Sequence, residues 1–303
     1  MRRPIVRLSS LQLTNIKNVK KGTIYMPNTV NKILSADKAE ILGIYGQNGS
    51  GKTAIVDALY FLQKVMIGVD LDQSLEDYMD MDSDTAEIFA DFNIFMDDIV
   101  FEIGYRLSLS REEKEVVISR ETLSAAKNEN GIRTNKTVFM DYQRDQSNAI
   151  FKPQKRLDEI LEENKEIKTD LIVARKMAEK SNCSYIFGES SREIFCREYK
   201  NGFQQFSVII SSLFEFALKD LFVIRNTHSG VISANFVLPM AFRIENDNIG
   251  AKGDFAVSLT EPILVDEERK NLLETIVEQI NIVLYTIIPG LQVTIKNYGK
   301  QSL

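Results

Sequence analysis

The chain has 303 residues and a formal net charge of −6 at pH 7, with 44% hydrophobic and 26% charged residues. The composition is typical of a globular protein, the length predicts about two domains or one domain with a large insertion, and the net charge argues against binding nucleic acid through bulk charge. Two cysteines and one histidine offer neither a disulfide framework nor a histidine-rich metal site. We therefore expect a reducing, cytoplasmic location.

The N-terminal segment predicts short strands. Apolar and polar residues alternate over residues 5–8, 11–14 and 22–26, a pattern typical of antiparallel strands with one exposed face. The next apolar run, residues 40–45, has the composition of a short buried parallel strand.

A glycine-rich loop follows this apolar run directly. Its sequence fits G-x-x-x-x-G-K-[ST], the pattern of a phosphate-binding loop. Glycines allow the backbone to curl so that successive N–H groups point at phosphate oxygens. In this pattern the lysine binds the β- and γ-phosphates and is the catalytic candidate, and the threonine hydroxyl is the expected Mg²⁺ ligand. The eight candidate nucleotide-binding residues are Gly46, Gln47, Asn48, Gly49, Ser50, Gly51, Lys52 and Thr53.

The residues after the loop predict a helix whose positive N-terminal end faces the phosphate site. Apolar residues recur there at intervals of three and four, which is the spacing of one buried helix face. They are Ala54, Ile55, Ala58, Leu59, Leu62, Val65 and Met66. An apolar run before the motif and an amphipathic helix after it favour a phosphate site over a chance Gly/Ser surface turn.

The remaining chain predicts strands, then helices, then mixed elements. Residues 69–84 form an acidic connector with at most one helical turn, and residues 86–143 form an antiparallel meander with strands at 87–92, 99–107, 116–120 and 137–140. Helices are predicted at 156–180 and 204–222, and three charges within 206–224 argue against a membrane span. Strands at 235–238, 255–259 and 291–295 flank a helix at 266–288.

Residues 11–17, with the sequence L-x-L-x-N-I-K, and the later run from Gly43 through Thr53 together resemble the RecF/SMC/OLD group of ABC-like AAA-family ATPases. The resemblance implies an α/β P-loop NTPase with α+β features, a mixed sheet, an antiparallel meander and a helical lid. It divides the chain into an N-terminal lobe at 1–150, a lid at 151–225 and a return to the ATPase core at 226–303. Ile16 stands where the family usually has an aromatic residue.

The resemblance also implies ligands and partners. ATP and Mg²⁺ are the expected cofactors, and Lys17 occupies the position of a family residue that contacts the nucleotide phosphates. A homodimer, or a partner chain that supplies a signature loop, is expected to complete the site. DNA is a possible partner by resemblance alone, and no membrane partner is expected.

Hydrolysis in this group also needs an acidic strand end. Asp266 and Glu267 follow an apolar run, but Pro262 precedes them and a helical pattern follows, so an N-terminal helix position explains these acids at least as well. No Ser-Gly-rich signature is visible before them. We expect the sequence to contain the N-terminal portion of an ATPase core that is completed elsewhere.

Two functions remain after this reading. One is an ATP- and Mg²⁺-dependent ATPase that acts as a conformational or dimerisation switch, in DNA maintenance or phage defence by resemblance. The other is a nucleotide-binding regulatory module with little turnover of its own. A GTPase is disfavoured because neither Asn-Lys sequence, at 31–32 and 135–136, continues to an Asp. A small-molecule kinase fits the long meander poorly.

Overall fold

The computed structural model describes residues 3–71, 73–112, 115–144, 166–196, 204–221, 223, 234–236, 255–257, 278 and 281–282. The chain divides into two compact units, Met1–Val223 and Ile224–Leu303. In the second unit, β8 (Ala234–Phe236) pairs antiparallel with β9 (Phe255–Val257). The division into lobe, lid and returning core stays a prediction.

The first unit is built on a sheet of seven described strands. Their spatial order is β2-β1-β3-β4-β5-β6, and β7 also pairs with β5. All pairings among these strands are antiparallel. This confirms the predicted meander, whereas the parallel part of the expected mixed sheet does not occur among the described strands. The strands are β1 Ile5–Ile16, β2 Val19–Tyr25, β3 Thr85–Met96, β4 Ile99–Arg111, β5 Val116–Glu129, β6 Ile132–Arg133 and β7 Thr137–Gln143.

Strand β1 is one continuous strand where the sequence predicts two. Its pairing with β3 shifts between Leu8 and Ser10, so Ser9 is an extra residue in the ladder. Such a bulge changes the phase of side-chain alternation. The buried positions accordingly change from Val6 before the bulge to Leu11 and Leu13 after it.

Helices cover one face of the sheet. This face is apolar, and on β3 alternate residues from Ala86 to Ile94 are buried. Clusters of buried side chains from the strands and helices form one continuous core. No described helix is long and apolar enough to cross a membrane. The helices are α1 Pro27–Val30, α2 Lys52–Met66, α3 Glu166–Ser181, α4 Glu189–Cys196 and α5 Gln204–Glu215, with a 3-10 helix at Gln73–Tyr78 and a π-helical turn at Phe216–Asp220.

Helix α2 is more deeply buried than a surface amphipathic helix. Most of its predicted stripe is buried, and Ile55 and Leu59 are half-buried. Its opposite side is also covered: Gln63 donates to the carbonyl oxygens of Ala217 at 2.9 Å and Leu221 at 2.6 Å in the π-helical turn. The helix that follows the glycine-rich loop is thus held by the sheet on one side and by this turn on the other.

The predicted buried parallel strand at residues 40–45 is wrong. This segment contains no strand, and the side chains of Ile41 and Tyr45 are 92% and 94% exposed. An apolar run becomes a buried strand only where neighbouring strands complete its hydrogen bonds. None of the described strands pairs with it.

Other predicted elements fall partly or wholly outside the described residues. In the predicted acidic connector at residues 69–84, the predicted helical turn is a 3-10 helix at Gln73–Tyr78. Helix α3 covers the second half of its predicted span, and residues 145–165 are outside the description. Asp266, Glu267, most of the helix predicted at 266–288 and the strand predicted at 291–295 also lie outside it.

Candidate nucleotide-binding site

The glycine-rich loop ends at the first residue of α2. Gly51 is the N-cap of the helix with φ 89°, and Gly49 has φ 83°. Both angles lie in the left-handed region, which glycine enters without the clash that a Cβ atom causes. Between them, Ser50 N donates to Gln47 O at 3.2 Å and closes the turn.

The ammonium group of Lys52 lies across this loop. Its Nζ donates to the carbonyl oxygens of Gly46 and Gln47, each at 2.6 Å, and to Ser50 Oγ at 3.3 Å. The loop therefore holds the ammonium group of Lys52 through two backbone carbonyl groups and one hydroxyl group. A positive charge fixed among backbone groups is suited to an anionic ligand.

Backbone donors at the start of α2 add to this positive field. The first helical hydrogen bond runs from Ile55 N to Gly51 O at 3.3 Å, so the N–H groups of residues 52–54 have no helical acceptor. No side chain caps this end, and its first turn contains no acidic residue. An uncapped helix N-terminus favours phosphate, and the neighbouring Thr53 side chain is exposed.

The turn between β1 and β2 packs against the loop from one side. Asn18 Nδ2 donates to Gly49 O. A Cβ atom on Gly51 would lie only 2.5 Å from Val19 Cγ2. These two contacts join the first β-hairpin to the phosphate loop.

Lys17, in the same turn, is paired with a residue that lies outside the phosphate-loop motif. Its Nζ forms an ion pair with Asp57 of α2, and its backbone N–H donates to Tyr78 O at 2.9 Å. Its φ of 51° is in the left-handed region, which is uncommon for a lysine. The predicted contact between Lys17 and a nucleotide phosphate stays a prediction, as do the roles of Lys52 and Thr53.

The sequence contained one signal for Asp57. It lies between Ala54 and Phe61 at helical spacing and interrupts an otherwise apolar stripe. A charged residue on a buried helix face needs a partner. The residue that provides it, Lys17, is 40 positions earlier, and this pairing follows from strand and helix packing that no local pattern reveals.

Residues 41–169 match the family model described as an AAA domain, putative AbiEii toxin, of a Type IV TA system. This match supports an AAA-type P-loop ATPase family. It covers the phosphate loop, α2 and the meander, and it does not single out the RecF/SMC/OLD group. A comparison with curated proteins found no significant match.

The loop offers an ammonium group and backbone N–H donors, which are groups that suit a phosphate. Among the described residues, no group of three or more His, Cys, Asp or Glu side chains is placed to hold a metal ion. Phosphate-loop sites do not require such a group, because Mg²⁺ is bound there through the loop's Ser or Thr hydroxyl, one acidic strand end and the nucleotide phosphates. Thr53 occupies the motif position that predicts this hydroxyl.

Proposed function

We propose that the chain binds ATP with Mg²⁺ at residues 46–53 and acts as an ATPase whose nucleotide state drives a conformational or dimerisation switch. The observation that carries this proposal is Lys52. Its ammonium group is fixed by loop carbonyls at the uncapped N-terminus of α2. The positive charge and the backbone donors are thus gathered at one place, and the ammonium group exchanges its loop acceptors for phosphate oxygens when the nucleotide binds.

Each residue has a definite part in this function. The backbone of residues 47–51 surrounds the phosphates, and Lys52 supplies a positive charge toward the β- and γ-phosphates. Thr53 holds Mg²⁺, which when bound neutralises charge on the phosphates. The N–H groups at the start of α2 orient the same phosphates without needing to rearrange.

The biological setting is also part of the proposal. The family model that matches the chain names a putative AbiEii toxin of a type IV toxin–antitoxin system. We infer that the switch works in such a toxin–antitoxin or phage-defence system, with a second copy or a partner chain completing the site. A role in DNA maintenance is the part of this setting with the least support, since it rests on the RecF/SMC/OLD resemblance alone.

The test is ATP binding and steady-state hydrolysis by the full chain over a range of protein concentrations. We expect Lys52→Ala to weaken ATP binding at least about a hundredfold, because a charge-assisted contact to each of two phosphates is lost. Lys64→Ala is the matched control, since Lys64 lies on the same helix in its last turn.

Each outcome distinguishes a part of the proposal. Turnover that rises faster than protein concentration and disappears in Lys52→Ala supports a composite ATPase site. Tight ATP binding without turnover at any concentration supports the regulatory module instead. Equal ATP affinity in Lys52→Ala and Lys64→Ala would overturn the site assignment.

A further inference from the structure

Asp57 is an acidic side chain placed where an ATP-binding helix would be expected to avoid one. It follows Thr53 by one helical turn, and it is almost completely buried, with a relative exposure of 3%. A buried carboxylate near a phosphate site repels the ligand unless a cation compensates for it. Lys17 is that cation, because its Nζ contacts Asp57 Oδ2.

The backbone around Lys17 is held from two sides in an unusual conformation. Lys17 has φ 51° and donates its N–H to Tyr78 O at 2.9 Å, and Ile16 forms a bridge with Met79. A left-handed conformation at a non-glycine residue persists only where its surroundings impose it. The 3-10 helix that ends at Tyr78 thus fixes the backbone of Lys17, and Asp57 fixes the position of its ammonium group.

The next two residues, Asn18 in the turn and Val19 at the start of β2, contact the phosphate loop. Asn18 donates to Gly49 O, and Val19 lies against Gly51. Lys17 is therefore anchored to a turn that touches the loop at both of its left-handed glycines. Its side chain, about 29% exposed, is partly open to a ligand, whereas that of Asp57 is closed.

We propose that Asp57 is a positioning residue for polyphosphate binding: it holds the Lys17 ammonium beside the start of α2, so that a second positive charge, in addition to that of Lys52, is oriented for the nucleotide. The proposal rests on the proposed function of the loop. Orienting a charged group in advance saves the entropy of fixing a long side chain when the ligand binds. The benefit of this orientation exceeds the repulsion from the Asp57 charge, which Lys17 neutralises at close range.

The affinity of Asp57→Asn for ATP distinguishes a positioning role of Asp57 from simple repulsion of the phosphates. If Asp57 acted only as a negative charge near the phosphates, Asp57→Asn would bind ATP more tightly. If it positions Lys17, Asp57→Asn weakens binding of Mg·ATP and of Mg·triphosphate by about tenfold, the lower end of the cost of losing an orienting partner at a metal site. Isothermal titration of the full chain with both probes measures this difference.

A double-mutant cycle separates positioning from general structural damage. Lys17→Met should also weaken binding by about tenfold or more, and adding Asp57→Asn to it should not weaken binding further and should recover part of the loss, because the carboxylate then has no ammonium to position and only repels the phosphates. Lys17→Arg should retain most of the affinity, since its guanidinium can still pair with the carboxylate. Thermal unfolding without nucleotide checks that each variant is folded.

If Lys17→Met alone fails to fold, the affinity of the Lys17→Met/Asp57→Asn variant can still be measured and compared with that of Asp57→Asn. The double variant replaces both charges and leaves no buried carboxylate without its ammonium partner. Affinity in Asp57→Asn that is unchanged or higher than in the original chain would overturn the inference. So would a tenfold loss from Asp57→Asn that persists in the Lys17→Met background. Loss of the proposed function is seen separately, as unchanged ATP affinity in Lys52→Ala.

Discussion

At the residue before α2, the backbone angle and a neighbouring side chain both leave room only for glycine. Gly51 has φ 89°, and a Cβ atom there would lie 2.5 Å from Val19 Cγ2. Val19 is β-branched, so it has few alternative rotamers with which to move away. Gly49, two residues earlier, has φ 83° but nothing within 4 Å of the corresponding Cβ position.

This contrast provides a matched pair of substitutions. Gly49→Ala introduces backbone strain alone and should lower the free energy of unfolding by about 1 kcal/mol. Gly51→Ala adds a steric clash, and we expect a loss of about 3 kcal/mol. Urea unfolding monitored by circular dichroism measures both values. Equal losses would contradict the packing of Val19 against the loop.

At the scale of elements, α2 is anchored at its far end by one glutamine. Gln63 donates from Nε2 to Ala217 O and Leu221 O, and Leu221 N closes the π-helical turn on Phe216 O at 2.8 Å. These carbonyls lie at the end of a helical segment, where the backbone lacks its own donors. The glutamine thus joins the phosphate-loop helix to the C-terminal end of α5 and its π-helical turn.

Replacing this side chain should loosen the connection. We expect Gln63→Leu to lower the free energy of unfolding by about 1–3 kcal/mol, because one buried and one partly buried carbonyl lose their donor. Lys64→Ala, next to it on the partly exposed side of the helix, should change it by less than about 0.5 kcal/mol. A shift in the urea midpoint that is equal for both variants would show that Gln63 does not make this connection.

The elements differ in how far the sequence could predict them. The meander and α2 follow from local periodicity, because each forms with partners close in the chain or buries a continuous stripe. Residues 40–45 have the composition of a buried strand, yet composition cannot reveal whether a neighbouring strand is present. The Ser9 bulge and helix α4 were also missed, the first because it reverses the alternation, the second because eight residues contain too few helical repeats.

The residues of the candidate site also differ in how far the sequence could predict them. The loop motif predicts Lys52 and Thr53 directly, since its residues are consecutive in the chain. The resemblance suggested Lys17 but not its contact with Asp57, and Asn18 was not selected at all. These contacts depend on how a β-turn and a helix separated by the loop pack together, and long-range packing leaves no periodic trace in the sequence.

At the scale of the whole first unit, the sheet has two chemically different faces. One face is apolar and covered by helices. On the other face the charges are arranged in neighbouring ion pairs. In most of them both partners are at least partly exposed, and the pairs with a single contact add little stability individually. The pairs are Glu87 with Arg106, Asp91 with Lys136, Glu102 with Arg133 and Arg120 with Asp141.

Glu121 of β5 is different from these surface charges because it is inside the core. Its carboxyl group accepts hydrogen bonds from Tyr105 Oη, Ser184 Oγ and Tyr185 N, each at 2.6 Å. Burial raises the pKa of Glu121, and the hydrogen bonds only partly oppose this. The carboxyl group therefore binds its proton more tightly in the folded state than in the unfolded chain. Ser184 and Tyr185 lie between α3 and α4. The group that holds this segment therefore also makes the free energy of unfolding depend on pH.

The sign of that dependence can be tested with Glu121→Gln. A raised folded-state pKa gives stability that is complete below the ordinary pKa of 4.5 and is lost as pH rises toward the folded value. The original chain should thus lose stability relative to Glu121→Gln as pH rises above 4.5, by at most about 1.4 kcal/mol per pH unit. The glutamine amide nitrogen can face the two hydroxyls while its oxygen accepts from Tyr185 N, so the variant resembles the neutral acid.

Glu102→Gln is the control with the opposite sign. The hydrogen bond from Arg133 lowers the pKa of Glu102, so its contribution is present above the ordinary pKa and is lost as pH falls. Urea unfolding of the three proteins between about pH 2.5 and pH 8 should give a difference curve for Glu102→Gln that changes only below about pH 4.5 and one of opposite sign for Glu121→Gln that changes above it, the smaller change belonging to the partly exposed Glu102. A flat curve for Glu121→Gln would mean that Glu121 is ionised to the same extent in both states. Its hydrogen-bond donors would then fully offset its burial, and above about pH 4.5 the link between α3 and α4 would be held by a charged carboxylate.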